Sequence, residues 1–315
     1  MQPDRPPKVS YVIHFRTSRG AGGVEHETAR AEFLAAARHL PITILDEHPA
    51  FRRIFVYVPP ATVDRFMALL HRLGYTEALT RITRQFGAGV GMQHQEATKV
   101  ERWLVGEYRR GDDRVVHELV WQVDDAPRLA RSPHERYFKM RIDGHVEATR
   151  SLRQRRRLSC CDALVMLHLA RVDPGAFVVD PFAGIGGIVQ EGRRLGLEML
   201  CGDVDRSLGP GLREVGSGLA AIWDASELPL PADCAEAVVT EPPYADERHE
   251  DVLAAMPEIA RILRPGATAI VLIDEEMAED LLRAGREAGL WSEEQYLVRR
   301  ASGMKAQLLV MTASG

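Results

Sequence analysis

In Thr240-Glu241-Pro242-Pro243-Tyr244 a carboxylate, two prolines and an aromatic ring follow one another, a grouping able to hold an amino group and make it reactive. An exocyclic amino group on a nucleobase is a poor nucleophile, because its lone pair is delocalised into the ring. Acceptors placed on its two hydrogens draw it toward a tetrahedral, reactive form, and here they are the Glu241 side chain and the Pro242 carbonyl. Consecutive prolines fix φ and remove competing N–H donors, which keeps that carbonyl aimed outward. Tyr244 adds a flat face for stacking, worth about 1–3 kcal/mol per base. The candidate catalytic residues are therefore Glu241, Pro242, Pro243 and Tyr244. By itself Pro-Pro-Tyr is equally the composition of a rigid surface turn.

Upstream, Phe177-Val178-Val179-Asp180-Pro181-Phe182-Ala183-Gly184-Ile185-Gly186-Gly187 reads as an apolar strand, a glycine turn and the start of a helix running from Ile188 to Arg194. Nucleotide-like ligands are gripped at such strand ends. Glycines let the backbone approach the ligand, and a helix N-terminus offers unpaired N–H donors. A Gly-x-Gly-Gly turn is also found in dehydrogenases and in plain structural turns. The next expected strand, Met199 to Asp203, ends in an acid 23 residues after Asp180, the spacing of a carboxylate that holds ribose hydroxyls one strand over. A third strand, from Ala220, leads to Asp224, placed to accept from an adenine amino group. Strand-end Asp residues also cap following helices. Three of them in step with a glycine turn and an acidic Pro-Pro-Tyr form a pattern that capping alone does not call for.

The strings D-P-F-A-G-I-G-G and E-P-P-Y, with the three acids, make residues 150 to 315 resemble a class I S-adenosylmethionine-dependent methyltransferase. The superfamily resembled is that of the RNA N-methyltransferases, which includes the THUMP-linked tRNA guanine-N2 methyltransferases. The resemblance implies that Asp180, Phe182, Gly184, Gly186 and Gly187, with Ala183 in the same turn, line the methionine part of the cofactor. It further implies that Asp203 holds ribose, Asp224 reads adenine, and the loop Glu241 to Tyr244 holds the target nitrogen. The family usually has Asp or Asn where this chain has Glu241, and a Cys and a small hydroxyl residue where it has Ala183 and Ile185. Carboxylate at position 241 favours guanine, whose N1–H and N2–H are parallel donors, over adenine, which presents an acceptor at N1. The same logic suits a guanidinium or amine, so a small-molecule or peptide N-methyltransferase is the alternative reading, and a non-catalytic RNA-binding descendant a lesser one.

Composition is that of an ordinary globular protein: 315 residues, 45% hydrophobic and 27% charged, with a net charge of −5. The average conceals an asymmetry. Residues 1–160 hold 27 Lys plus Arg against 19 Asp plus Glu, while residues 161–315 hold 13 against 26. Either the basic half captures an RNA by its phosphates, or the two halves attract each other across an interface. Arg153, Arg155, Arg156 and Arg157 form the densest basic run, just before the methyltransferase-like segment, and are candidate RNA contacts or a solvated linker. The four cysteines, Cys160, Cys161, Cys201 and Cys234, lack metal spacing, so no metal is expected and a reduced compartment is. No run of 18 apolar residues and no signal peptide is present, and the expectation is a cytoplasmic protein with no membrane partner.

The elements that would position these residues divide the chain into an α+β accessory domain, 1–145, and a methyltransferase domain, 146–315. The second is expected to be α/β and Rossmann-like, a mostly parallel seven-stranded sheet closed by a hairpin. Ser159 is the expected N-cap of a helix Cys160 to Ala170, with Asp162 three residues on. Helices are expected at 252–263 and 275–288, a buried strand at 267–273 after the breaker Arg264-Pro265-Gly266, and a closing hairpin from 295–300 and 306–312 around Ser302-Gly303-Met304. In the first half, strands at 9–15 and 54–58 and helices at 24–40 and 61–73 give a ferredoxin-like rhythm. Gly87 to Gly91 reads as a junction, and 100–108 and 114–123 as strands around Gly111-Asp112-Asp113.

Overall fold

The computed structural model describes residues 10–16, 18–19, 22–85, 114–122, 158–216, 218–244, 248–299 and 305–315. The Gly87 to Gly91 junction, the strand at 100–108, the Gly111 to Asp113 turn, the 145/146 boundary, Arg153, Arg155, Arg156, Arg157 and the 302–304 turn lie outside these residues.

The first half is an antiparallel sheet of β1 (Ser10–Phe15), β4 (Thr43–His48), β5 (Arg53–Tyr57), β6 (Thr76–Gln85) and β7 (Arg114–Gln122), in the order β4-β5-β1-β6-β7. A two-residue ladder, β2 (Ser18–Arg19) with β3 (Gly22–Gly23), follows β1. Helices α1 (His26–Ala36) and α2 (Val63–Leu70) complete a β-α-β-β-α-β order, the ferredoxin-like rhythm expected, with β7 as a fifth strand. Phe33 of α1 and Phe66 of α2 meet edge to face, centroids 6.4 Å apart, and both are fully buried.

The second half is a seven-stranded sheet of β8 (Phe177–Asp180), β9 (Glu198–Asp203), β10 (Ala220–Ile222), β11 (Ala235–Thr240), β12 (Leu263–Asp274), β13 (Leu290–Arg299) and β14 (Lys305–Ala313), ordered β10-β9-β8-β11-β12-β14-β13. The first five pair in parallel and β14 closes antiparallel between β12 and β13. Strand order reverses between β8 and β11, the switch point at which open α/β sheets bind ligands. Alternate residues enter opposite cores: Ala237 and Val239 face one, Val238 the other. The helix stops at Ile262, just ahead of the expected breaker Arg264-Pro265-Gly266, and the strand expected from 267 already begins at Leu263, carrying those three residues across a register shift.

Helices α3 (Cys160–Leu169), α4 (Gly187–Arg194) and α5 (Gly209–Val215) lie on the first core's side, and α6 (His249–Ala254), α7 (Met256–Ile262) and α8 (Ala278–Glu287) on the other. The single helix expected at 252–263 is two, divided at Ala255 with Pro257 in the first turn of α7, where a missing N–H does no harm. Helix α3 is buried all round: every residue from Cys161 to Leu169 is buried, Asp162 and His168 included. Such a helix needs cover on both sides. It receives it from the seven-stranded sheet and from α1, in one continuous core that joins the halves. Ser159 caps it, accepting from the Asp162 N–H at 3.1 Å.

Candidate active site

The four-residue strand β8 delivers Asp180 to the C-terminal edge of the sheet with 1% of its surface exposed. The chain then turns through Pro181 to Gly186. Gly184 and Gly186 have φ of 53° and 78°, left-handed values that suit glycine, and Gly186 is the N-cap of α4. This loop is pinned from two sides. Ala183 N–H donates to the Gly202 carbonyl at 2.9 Å and Gly184 N–H to Asp203 Oδ2 at 2.9 Å. The indole N–H of Trp223 donates to the Pro181 carbonyl at 3.1 Å. Trp223 reaches it because residue 202 has no side chain: a Cβ there would overlap the indole ring.

Neighbouring strands bring their acids to the same edge. Asp203 ends β9, and its second oxygen accepts from Asp205 N–H at 3.0 Å, so backbone donors fix the carboxylate's direction. Asp224 lies just past β10, exposed, with Oδ1 accepting from the Ser226 N–H and hydroxyl. These bonds hold its carboxyl below the usual range. From β11, Thr240 is fully buried and donates its hydroxyl to Asp180 Oδ1 at 2.7 Å. Glu241, Pro242, Pro243 and Tyr244 follow. Glu241 and Tyr244 are half-buried, and the tyrosine hydroxyl donates to Glu241 Oε1 at 2.6 Å. Phe182 and Tyr244 pack on the same core cluster. Thus Asp180, the glycine turn, Asp203, Asp224 and the Glu241 loop share one edge of one sheet.

No protein-family model matches the chain. The U6 snRNA (guanine-N(2))-methyltransferase THUMPD2 of Bos taurus is 28% identical over 127 residues, 36% of this chain and 25% of that protein. The Mus musculus protein of that name is 26% identical over 151 residues, 44% of this chain and 28% of its own length. The match thus spans about a quarter of the length of these curated relatives. Among solved structures, TrmN from Thermus thermophilus superposes with a TM-score of 0.52 at 18% identity, over 96% of this chain and 99% of that one. The fold is that of a Rossmann-like methyltransferase. The resemblance read from D-P-F-A-G-I-G-G and E-P-P-Y is matched by these findings.

Within this methyltransferase fold the acids are crowded. Burial pushes the Asp180 carboxyl up to about 7, and the charges of Asp203 and Glu241 push the same way, against donors from Thr240 and the Phe182 N–H. Burial, and then the charge of Asp180, likewise raise the Cys201 thiol to about 12, which keeps it a packing group. A cationic ligand would relieve the crowding, so the donor set suits a cofactor that carries a sulfonium and an ammonium. Among the described residues no group of His, Cys, Asp and Glu is arranged to hold a metal ion, and no helix is long and apolar enough to cross a membrane. Sequence reading missed Thr240 and Trp223. Both adjoin residues it did select, Glu241 and Asp224, but their roles depend on pairing between strands far apart in the chain.

Proposed function

We propose that the chain is an S-adenosylmethionine-dependent N-methyltransferase of RNA, acting on guanine N2, with tRNA as the first substrate to test. The Glu241–Tyr244 pair on the Pro-Pro loop, tied through Thr240 to the acid that ends β8, carries this reading. When bound, the cofactor supplies an electrophilic methyl group on a sulfonium. Asp180 and the turn Phe182, Ala183, Gly184, Gly186 and Gly187 would hold its methionine part, Asp203 its ribose and Asp224 its adenine. Glu241 accepts hydrogen bonds from N1–H and N2–H of the base, and the Pro242 carbonyl takes the remaining amino hydrogen. Tyr244 stacks on the ring and, through its hydroxyl, sets the direction of the Glu241 carboxylate. The target nucleotide leaves its stack to reach this loop. Alignment of nitrogen and methyl supplies most of the acceleration, up to about 7–11 kcal/mol for well-placed reactants. As the new N–C bond forms, one amino proton is lost, and Glu241 is the adjacent carboxylate that can take it.

The same reading assigns residues 1–145 to an accessory domain that positions the RNA and residues 146–315 to catalysis, with Arg153, Arg155, Arg156 and Arg157 meeting phosphates at the mouth. The acidity of the site keeps a second substrate class in play, a small amine or guanidine or a peptide bearing one. The deciding experiment incubates the protein with labelled S-adenosylmethionine and total small RNA from a host lacking this gene, then identifies labelled nucleosides by mass spectrometry. Labelled N2-methylguanosine is the expected result. Cofactor binding without label in RNA transfers the reading to the second class. Glu241→Ala should lower turnover about 10²–10⁴-fold and spare cofactor affinity; a parallel loss of both overturns the role given to Glu241.

A further inference from the structure

Asp180 and Glu241 belong to different loops, one on the methyl-donor side of the site and one on the acceptor side. The Thr240 hydroxyl joins them. It sits at the last position of β11, fully buried, and reaches across to the end of β8. The two strands pair directly, Val238 beside Val179, so Thr240 and Asp180 leave the sheet together. A threonine here has an apolar option, since valine fills nearly the same volume. The hydroxyl is retained where a buried carboxylate needs a donor. Among the described residues, the carboxylates of Asp203 from β9 and Glu241 beyond β11 are unfavourable to the Asp180 charge, while Cys201, its register partner, stays a neutral thiol. Thr240 and the Phe182 N–H act in the opposite direction.

We propose that Thr240 is a positioning residue whose hydroxyl locks the cofactor loop to the Pro-Pro-Tyr loop and draws Asp180 toward the charged form that attracts a cationic cofactor. The proposal rests on the methyltransferase reading of the site. It makes the methyl-donor and amino-acceptor halves one hydrogen-bonded unit, so that loss of a single buried hydroxyl affects cofactor affinity and the chemical step together. The sign of the pH effect follows. A donor to the carboxylate favours ionisation, so its removal moves Asp180 further up, and the acid side of the cofactor-affinity profile moves to higher pH.

The test titrates S-adenosylmethionine into the full chain by calorimetry between pH 6 and 9, without RNA, and measures single-turnover methylation separately. Thr240→Val should weaken cofactor affinity about tenfold near neutral pH, in line with the loss of a hydrogen bond to a charged group, and recover toward wild type at pH 9. Thr240→Ser, which keeps the hydroxyl, should follow the wild-type profile. If valine prevents folding, Thr240→Ala removes the hydroxyl without setting a methyl against the carboxylate, and the same upward move is expected. An unmoved profile in the folded hydroxyl-free variant, or an equal move in Thr240→Ser, overturns the inference. Failure of the wild-type chain to bind the cofactor at any pH overturns instead the methyltransferase reading beneath it.

Discussion

Glu32 and Asp180 are both buried carboxylates, and the contrast between them separates the part of the molecule that holds it together from the part that does chemistry. Glu32 lies on α1 in the seam between the two halves, fully buried. Its oxygens accept from the Gly74 N–H at 2.5 Å and the Tyr75 N–H at 2.7 Å, and lie 3.2 Å from Nδ1 of His168 on α3. Tyr75 in turn donates its hydroxyl to Asp162 of α3 at 2.5 Å. Every partner of Glu32 is a donor or a histidine. Asp180 is equally buried but shares its site with two other carboxylates. A buried acid among donors is a clamp; a buried acid among acids is waiting for a cation. The backbone of the seam is as closely fitted as its polar groups: a Cβ at residue 74 would overlap the Cys161 carbonyl.

Removing the clamp should have the largest effect. Glu32→Ala leaves two buried N–H groups and His168 without their acceptor, and should destabilise the fold by about 3–5 kcal/mol. Glu32→Gln keeps an acceptor for one N–H and should lose less. Chemical denaturation of the three proteins measures this. A loss under about 1 kcal/mol for the alanine variant would mean that the apolar core shared by α1 and α3 holds the seam alone, and the contrast with Asp180 would lose its basis.

Removing the frustrated acid should do the reverse. Because the folded-state value of Asp180, about 7, lies above its ordinary 3.8, the protonated form stabilises the fold. That contribution is complete below the ordinary value and disappears as pH rises through 7. The interval corresponds to roughly 4 kcal/mol as an upper bound. Asp180→Asn should therefore raise the melting temperature of the cofactor-free protein at pH 8, with the gain shrinking toward pH 5, while abolishing cofactor binding. A variant less stable than wild type at pH 8 would show that the carboxylate is satisfied after all, and would make Asp180 a second Glu32.

These two acids were not equally legible. Asp180 announced itself, because a strand end, a glycine turn and a later Pro-Pro-Tyr are local strings with local chemistry. Glu32 sits unremarked in an ordinary amphipathic helix, and its partners lie 42 to 136 residues away. Asp162 was read as part of a helix start, and the structure adds its bond to Tyr75, a long-range tie that helix chemistry alone cannot show. Of the parallel strands, β8, β9, β10 and β12 were visible as apolar runs, and β11 was not read as a strand. Strands β4 and β6 were missed: Thr-Ile-Leu-Asp-Glu-His and Thr-Glu-Ala-Leu-Thr-Arg-Ile-Thr-Arg-Gln are too polar to stand out, and become strands by pairing with β5 and β1. Thr240 was invisible for the same reason: a threonine acquires meaning only from the strand beside it.

The weakest expected effect tests where the seam's energy resides. Around the buried clamp runs a rim of charged pairs, among them Arg38, just past α1 in the first half, whose guanidinium donates to the Asp173 carboxylate in the second. The aspartate is 67% exposed and the arginine 25%, so water and salt screen the pair. A double-mutant cycle of Arg38→Ala and Asp173→Ala should give a coupling far below the loss from Glu32→Ala, and one that fades at high salt. A coupling as large as the loss from Glu32→Ala would place the join between the halves in its charged rim. The opposite charges of the two halves would then act mainly on each other, leaving less of the basic half for a nucleic acid. A small coupling leaves the basic surface of the first half available for that role and confines the seam to the groups that water does not reach.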